Sequence, residues 1–511
     1  MPPKRKPSAS NPPIRPPCTH PHLLTTSHPS AQFPRVSASR RAAATTATGV
    51  HKNGITDTYL HDFASDIEFA STFPAPLVLK GDALELDAKE VGQTFRGWER
   101  GKHRNAVPRV EEGGRRIIYV VGPPGMDGEE IEKFMKGWEE CEVERSGNRA
   151  GGKGVENEKF EINSWMLDVV SYLQAFYHGL PVKQMDSALL SFTPWEETSP
   201  PSTSKSKPKP KPKPKPKPKP KPKPKSRTTS KKIAPNYIGL RTSTFKTGIR
   251  YRSTPSSPFT HQLNLSDLLD FAIDILPPDA YALLMLVDHD LYEDDDDEFV
   301  CGRAYGGSRV AVVSTARYRP HLDAVQGIER IHAWPGSHCI EYMNETYGIK
   351  KGKRKRENYD EDEDENIEYA TARSPLVRAV TQQNILPPLS LFPPVSEDAL
   401  KGLFLSRICR TASHELGHCF GIAHCPYYAC CMQGSASIQE DARQPPYLCP
   451  VDLKKVVTAA GADVGERYEA LLGFCERHES AHLFVAFGEW IRGRLEQIER
   501  LERIVMLESL E

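Results

Sequence analysis

The chain has 511 residues, 44 of them proline, with a formal net charge of zero and a hydrophobic fraction of 38%. The balanced charge gives no indication of a partner bound through whole-chain electrostatics, and the low hydrophobic fraction excludes a core that extends through the whole chain. No apolar run approaches the ~18 residues of a membrane-spanning helix, and the opening segment MPPKRKPSAS lacks the apolar core of a secretory signal. We therefore expect no membrane association and one sizeable domain interrupted by inserts, in an intracellular protein that is cytoplasmic, nuclear or both.

Residues 1–114 are predicted to form a largely disordered region. Residues 1–56 contain no Asp or Glu and are rich in Pro, Ser, Thr and Arg, which is typical of a disordered tail. Organelle transit peptides have a similar composition, but the many prolines argue against the amphipathic helix that such a peptide uses.

Ordered structure is predicted from about residue 115 onward. The apolar run of residues 117–121, closed by the segment GPPG, indicates a buried strand and a turn. Apolar residues at helical spacing predict a helix over residues 163–178, and Gly179 occupies the position at which many helices end.

Two low-complexity inserts, about 197–232 and 340–383, are expected to interrupt the domain. The first contains strict Lys-Pro alternation over residues 207–225, which forces polyproline II geometry. So regular a polycation can bind nucleic acid or acidic proteins, but we prefer a solvated surface insert. In the second insert a basic cluster at 350–356 precedes an acidic run at 360–365. It is either a self-neutralising loop or a nuclear-import signal.

The remaining elements are predicted from apolar spacing and turn residues. Two helices are expected, one over residues 265–276 and one that runs from residue 400 into a histidine cluster. The final part of the chain is predicted to be an amphipathic helical tail, a kind of helix that is more often packed or self-associating than functional. This tail comprises residues 476–511. The other expected segments are a buried strand at 281–287, an acidic loop at 293–298, and a hairpin of strands 301–305 and 310–314.

The strongest motif is HELGHCFGIAH, which begins at His414 and ends at His424. His414 and His418 are four residues apart, so on a helix both imidazoles lie on one face and can bind one Zn²⁺ at about 2.0–2.1 Å. Gly421 permits a turn with positive φ that brings His424 in as the third ligand. Three protein ligands leave one position open, which is typical of a catalytic zinc. Glu415, beside the first ligand, can act as general base toward a zinc-bound water that attacks a carbonyl.

A second HExxH match, HESAH at residues 478–482, lacks the rest of the extended pattern. Val485 and Gly488 occupy the positions of the turn glycine and the third histidine. A downstream Glu496 or Glu499 could supply a third ligand, but we interpret this segment as the polar face of a C-terminal helix.

Several of the eleven cysteines lie next to the long motif. Cys425 follows the third histidine directly, Cys430 comes five residues later, and Cys449 begins the segment Cys-Pro-Val-Asp452. In a chain expected to be intracellular, this crowding beside histidines favours metal binding over disulfides. A Cys-x4-Cys pair with a later Cys-x2 half-site has the spacing of a closed structural zinc, which would brace the catalytic loop.

The segments HELGHCFGIAHC, YYACCMQGS and LCP resemble the archaemetzincin family of the metzincin clan. The segments IIYVVGPPG, SYLQAFYHGLPVK, CGRAYGGSRVAVVSTARY and ERYEAL are also similar to that family, so the resemblance covers roughly residues 115–475 without the two inserts. It implies that Glu415 is the catalytic base and that Met432 lies in a turn beneath the metal. It also implies that the three motif histidines bind the catalytic zinc: His414, His418 and His424.

In that family four cysteines hold a second zinc, and the resemblance places this site at Cys425, Cys430, Cys449 and position 452. Position 452 is Asp here. A carboxylate can bind zinc, so Asp452 remains a feasible fourth ligand. Cys431 is an alternative, although its adjacency to Cys430 makes the geometry awkward. We expect two zinc ions per chain, one catalytic and one structural.

The resemblance implies an α+β, metzincin-like zincin fold with a twisted mixed β-sheet, an active-site helix, a Met-turn and a smaller C-terminal part. The implied function is a zinc metallopeptidase that hydrolyses peptide bonds in peptides or proteins, with aminopeptidase action on short peptides as one implied mode. The hairpin strand at the sheet edge could pair with an extended substrate. The alternative is a non-catalytic, zinc-stabilised binding or scaffold protein that recruits nucleic acid or acidic partners through its basic tracts.

Overall fold

The computed structural model describes residues 36–50, 72–141, 162–195, 236–342, 373–385 and 395–508, except for residues 88, 103, 110–112, 255–256, 337 and 341. The Lys-Pro tract, the basic and acidic clusters of the second insert and residues 1–35 lie outside the described residues. Among the described helices, none has both the length and the apolar content to cross a membrane.

The described strands lie between residues 117 and 314, with helices before, between and after them. The strands are β1 (Ile117–Val121), β2 (Gly125–Met126), β3 (Val182–Met185), β4 (Ser191–Thr193), β5 (Asn236–Arg241), β6 (Lys246–Ser253), β7 (His261–Asn264), β8 (Ala280–Val287), β9 (Leu291–Tyr292), β10 (Gly302–Tyr305) and β11 (Val310–Ser314). The helices are α1 (Ala38–Thr45), α2 (Ala83–Leu86), α3 (Phe95–Glu99), α4 (Glu129–Met135), α5 (Ile162–Phe176), α6 (Leu265–Asp274), α7 (Pro375–Ile385), α8 (Glu397–Cys419), α9 (Ile438–Arg443), α10 (Pro450–Ala460), α11 (Val464–Arg477) and α12 (His482–Glu508).

The central sheet has the strand order β10-β11-β8-β1-β3. Its inner strands are parallel, and β10 pairs antiparallel with β11 at the edge, which confirms the predicted hairpin. All eight residues of β8 are buried, because helices cover one face of the sheet, while helix α6 and the second sheet cover the other. Residues that alternate along β8 accordingly enter two different core clusters, with Leu284 and Leu286 in one and Leu283 and Met285 in the other.

The second sheet has the order β2-β4-β5-β6-β7-β9. Strands β4 to β7 pair antiparallel, whereas β2 and β9 join the two edges in parallel pairs. Two mixed sheets with helices packed against them make the fold α+β, as predicted.

Helix α8 carries the histidine motif and runs beside β10 and β11. The side chain of Ser396 accepts a hydrogen bond from the Ala399 backbone N–H at its start (3.3 Å). Glu397 and Asp398 in the first turn stabilise the helix, because their negative charges lie at the positive end of the helix dipole. After the helix, Gly421 adopts a φ of 74°, which confirms the expected left-handed turn.

The C-terminal helix α12 is part of the main core. Trp490 is fully buried and stacks on Tyr447, with 4.4 Å between ring centroids. Helix α7 packs along α12, and Arg378 forms an ion pair with Glu496. Residues 375–383 are helical and Leu376 is fully buried. The prediction that the second insert extends to residue 383 is therefore wrong for these residues.

The N-terminal part of the chain also differs from the prediction. Residues 72–109 contain helices α2 and α3 and contribute Phe73 and Trp98 to the core, each 1% exposed. The prediction of a largely disordered region up to residue 114 is therefore corrected for residues 72–109. The prediction failed because these helices, of four and five residues, are too short for apolar residues to recur at helical spacing.

Candidate functional site

Helix α8 and the turn that follows it bring three histidines together. His414 and His418 lie one turn apart on the helix, and their Nε2 atoms are 3.1 Å apart. The turn at Gly421 directs His424 back toward them, so that one ligand nitrogen from each ring lies within 4.8 Å of the others. The structure thus places the three histidines as the sequence analysis expected.

Backbone carbonyls orient the two helical imidazoles. The Nδ1–H of His414 donates to the carbonyl of Cys431, and that of His418 donates to the carbonyl of Ile422, both at 2.7 Å. With the proton on Nδ1, each Nε2 keeps its lone pair and faces the centre of the cluster. The Nδ1 of His424 lies 3.5 Å from a carboxylate oxygen of Glu90.

The three imidazoles suit a cation. Burial, together with the neighbouring imidazoles, holds the pKa of His414 well below its usual range and lowers the pKa of His418 to about 4. Two neutral rings with facing lone pairs repel each other unless a proton or a metal lies between them. Three imidazole nitrogens around one point are a donor set that fits Zn²⁺.

Glu415 lies beside this cluster and is 8% exposed. Burial raises the pKa of its carboxyl group to about 8, an effect that the positive charge of Arg303 opposes. A cation close by would lower this pKa, because opposite charge favours the carboxylate. On the other side, a Cβ atom on Gly302 of β10 would lie 3.3 Å from Cγ of Glu415, so the edge strand approaches the carboxylate closely.

Met432 packs against helix α8 at Gly417, between His414 and His418. It is fully buried, and a Cβ atom on Gly417 would lie only 2.4 Å from its Sδ atom. The backbone carbonyl of Met432 accepts a hydrogen bond from the Cys425 N–H (2.8 Å), which ties the turn to the residue after His424. The position agrees with the expected supporting turn.

A second cluster lies behind the histidine loop, formed by Cys425, Cys430, Cys449 and Asp452. All four are buried, and their ligand atoms lie within 4.8 Å of one another. The backbone N–H of Met432 donates to Sγ of Cys430 (3.4 Å), as does that of Cys449 (3.2 Å). Such bonds favour a thiolate. Three thiols and one carboxylate fit a closed tetrahedral zinc site.

Asp452 occupies the fourth position, and Cys431 does not. Sγ of Cys431 contacts the Ser413 hydroxyl at 3.4 Å and points away from the cluster. Burial and the neighbouring Cys425 raise the pKa of Asp452 to about 7, while Lys455 opposes this shift. The ammonium group of Lys455 lies 2.7 Å from Oδ1 of Asp452, and both side chains are 1% exposed.

The second HExxH match does not form a comparable site. His478 caps the end of α11, and His482 begins α12. The two imidazoles therefore do not share one helical face. His478 instead lies 3.6 Å from the carboxylate of Asp168.

A cleft of about 1050 Å³ opens over the three histidines and Glu415. Its walls include Gly302 and Arg303 of the edge strand β10 and Thr411 of α8. A polypeptide segment therefore has room to lie between the edge strand and the ligand-bearing helix.

Sequence reasoning missed two residues around the site. Lys455 lies three positions after Asp452 on helix α10 and so shares its face. The sequence analysis predicted no helix there. Gln93 hydrogen-bonds to Gly421 and Ala423, yet it carries no sequence signal beyond the N-cap Thr94 that follows it. It lies in a region that was expected to be disordered.

Residues 378–457 match the model of peptidase family M54. The chain is 29% identical over 219 residues to human "Archaemetzincin-2", which covers 43% of this chain and 48% of that protein. It is 26% identical over 258 residues to rat "Archaemetzincin-2", covering 47% of this chain and 59% of that protein. The chain thus matches about half the length of these curated relatives.

A solved archaemetzincin from Methanopyrus kandleri aligns over 70% of this chain and 99% of its own, at 16% identity and a TM-score of 0.28. This superposition is too loose to support an argument about the fold. The family match covers α8, both ligand clusters and most of α10, and the similarity recurs among archaemetzincins from several mammals. The chain is therefore similar to archaemetzincins over the part that carries both ligand clusters.

Proposed function

We propose that this protein is a zinc-dependent metallopeptidase with a metzincin-like active site. The observation that carries the proposal is the convergence of three imidazoles beside a buried carboxyl group, in a cleft bordered by an edge strand. His414, His418 and His424 hold the metal, and Glu415 is the general base. Zinc bound there would act as a Lewis acid toward a peptide carbonyl and would acidify water.

Glu415 performs the proton transfers in this mechanism. Its carboxylate accepts a proton from the attacking water, and the carboxylic acid so formed later donates that proton to the departing amine. Burial makes this carboxyl group hold a proton more readily than an exposed glutamate does. The group is therefore suited to carry a proton between two steps in a site from which much of the solvent is excluded.

The substrate is proposed to be an extended peptide. Strand β10 is at the edge of the central sheet and pairs only with β11 in the described sheet. Its free backbone groups can pair with a peptide that lies in the cleft above Glu415. We further propose aminopeptidase action on short peptides as the first mode to test.

The second cluster is proposed to hold a structural zinc, which gives two zinc ions per chain. The alternative of a non-catalytic binding or scaffold protein depends on the basic tracts, and these lie outside the described residues. A purely structural zinc would also have no use for Glu415. For these reasons we favour the peptidase.

The deciding experiment compares zinc-loaded wild type, Glu415→Gln and Glu479→Gln on a peptide library with free and acetylated N-termini. Glu479 is the matched control, because it occupies the same position in the second HExxH match. We expect wild type and Glu479→Gln to cleave, and Glu415→Gln to lose about 10²–10⁴-fold in rate while it keeps its zinc.

Loss of cleavage on acetylated peptides would identify an aminopeptidase, and retained cleavage an endopeptidase. Wild-type rates in Glu415→Gln would overturn the mechanism. A wild-type protein with zinc bound at the three histidines and no cleavage of any peptide would overturn the proposed function.

A further inference from the structure

Three side chains from the N-terminal segment bind the backbone at the end of helix α8. The last carbonyl groups of a helix have no partner within the helix. Asn105 donates to the carbonyl of Cys419 (2.6 Å), and the indole N–H of Trp98 donates to that of Phe420 (2.9 Å). Gln93 donates through Nε2 to the carbonyl of Gly421 (2.9 Å). The segment therefore completes the end of the helix that carries the histidines.

Gln93 also holds the residue just before the third histidine. Its Oε1 accepts a hydrogen bond from the backbone N–H of Ala423 (3.2 Å). One carboxamide thus bridges Gly421 and Ala423, which span the turn that directs His424 toward the other two rings. The orientation of this turn determines where the ring of His424 can lie.

The same carboxamide reaches the second cluster through Lys455. The ammonium group of Lys455 donates to the backbone carbonyl of Gln93 (2.7 Å), to its Oε1 (3.1 Å) and to Oδ1 of Asp452 (2.7 Å). The other oxygen of Asp452 lies 3.4 Å from Sγ of Cys430 and 3.5 Å from Sγ of Cys449. A continuous hydrogen-bonded path therefore joins the cysteine cluster to the histidine turn.

We propose that Gln93 is a positioning residue that couples the Cys425-Cys430-Cys449-Asp452 cluster to the turn that carries His424. The inference rests on the proposed function, in which both clusters hold metal. Gln93 borders the cleft, but its hydrogen bonds go to the backbone of the turn and to Lys455 rather than to the ligand atoms. It acts by fixing the turn, so that the three imidazoles are preorganised for metal and the second cluster influences the first.

The direct chain connection between His424 and Cys425 is a competing route for such coupling. The two routes make different predictions. If the chain connection alone matters, replacing Gln93 leaves the affinity of the histidine cluster unchanged. If Gln93 matters, its loss weakens metal binding there by about 10–100-fold, the usual effect of removing a group that orients a ligand.

The test uses Co²⁺ in the full-length protein, because its spectrum reports the two clusters separately. Thiolate ligands give a charge-transfer band in the near ultraviolet, whereas an all-nitrogen site gives only weak visible bands. In Gln93→Met we expect a fall of about tenfold or more in affinity for Co²⁺ at the histidine cluster. The thiolate band should titrate as in wild type.

Gln174→Met is the matched control. Gln174 bridges backbone groups in the same way, since it donates to the carbonyl of Leu180 (2.9 Å) and accepts from the N–H of Val182 (2.8 Å). It lies at the end of α5, outside both clusters. We expect wild-type Co²⁺ titrations at both clusters in this variant.

Gln93→Glu serves as a second, milder variant. It keeps the oxygen that faces Ala423 and Lys455, replaces the N–H donated to Gly421 by a second oxygen, and adds a negative charge that can pair with Lys455. An intermediate fall in affinity is expected. Unchanged affinity at the histidine cluster in both Gln93 variants would overturn the inference. Loss of the thiolate band in both variants would also overturn it, because Gln93 would then be needed for folding of the whole region.

A double-mutant cycle tests the path itself. Gln93→Met and Lys455→Met should be non-additive in their effect on the histidine cluster if both belong to one path. Strictly additive effects of the two substitutions would show that Gln93 and Lys455 do not act through one path, and would overturn the proposed coupling to the second cluster. A wild type that binds Co²⁺ yet cleaves no peptide would overturn the proposed function alone, since the Co²⁺ titrations do not depend on turnover.

Discussion

Asp452 differs from its three cysteine neighbours because its two oxygen atoms face different partners. Oδ2 lies near the sulfur atoms of Cys430 and Cys449, and Oδ1 accepts from the ammonium group of Lys455. The sequence correctly indicated position 452 as the fourth member of the cluster from the resemblance alone. It did not indicate that Lys455 would neutralise the carboxylate, because that depends on burial of both side chains.

Replacing Asp452 by Ala should reduce zinc from two ions to one per chain and lower the free energy of unfolding by about 3–5 kcal/mol. The second effect arises because the ammonium group of Lys455 would remain buried without its carboxylate. Zinc analysis and urea unfolding measure the two effects.

The double variant Asp452→Ala/Lys455→Met is the control for the unpaired charge. It should recover part of the lost unfolding free energy without recovering the second zinc. Two zinc ions and unchanged stability in Asp452→Ala would contradict the assignment of this residue as a ligand.

At the scale of the elements, periodic patterns in the sequence predicted several helices and strands correctly. They did not predict which side chains of different elements are in close contact. The strand at β8, the β10–β11 hairpin and helices α5, α6 and α8 follow from apolar spacing and turn residues. Helix α7 was missed because it was assigned to an insert on the basis of its charged neighbours. Nothing in the spacing shows that Gly417 faces Met432, because that contact joins residues from different elements.

The contact between helix α8 and the supporting turn gives a test of that packing. A Cβ atom on Gly417 would lie 2.4 Å from Sδ of Met432, whereas on Gly473 in α11 the nearest atom would be 3.7 Å away. Gly417→Ala should destabilise the fold by about 1–3 kcal/mol through overpacking. Gly473→Ala should instead stabilise it by up to about 1 kcal/mol, because Ala is the better helix former.

Urea unfolding of the two zinc-loaded variants measures the difference. Equal changes in the free energy of unfolding would show that Met432 can move aside without cost. It would then give the histidine turn no firm support.

At the scale of the whole molecule, the domain that carries the proposed active site includes residues that the sequence analysis did not assign to it. The resemblance begins near residue 115, yet residues 72–109 complete the end of α8 and contact the histidine turn. A few side-chain hydrogen bonds from Gln93, Trp98 and Asn105 make these contacts. Such bonds follow from the three-dimensional path of the chain and leave no periodic pattern in the sequence.

The Lys-Pro tract lies between two strands that pair with each other. Thr193 of β4 pairs with Gly239 of β5, so the ends of the intervening segment are already held together by the sheet. Deleting residues 207–225 should change the free energy of unfolding by less than about 1 kcal/mol, since the entropy of loop closure varies only slowly with length. Peptide cleavage should stay within twofold of wild type.

Thermal unfolding and the peptide assay check this prediction. A large loss of activity with an unchanged unfolding temperature would contradict it, and would indicate that the tract contributes to substrate binding.

The bond from Lys455 to Gln93 spans 362 positions in the chain, and this has a consequence for biosynthesis. At about 5–20 residues per second, a ribosome needs roughly 20–70 s to extend the chain from Gln93 to Lys455. For most of that interval the segment that completes the histidine turn has been made, while the turn and the cysteine cluster have not. Both metal sites can therefore assemble only late in translation or after release, so metal insertion must follow synthesis of nearly the whole domain.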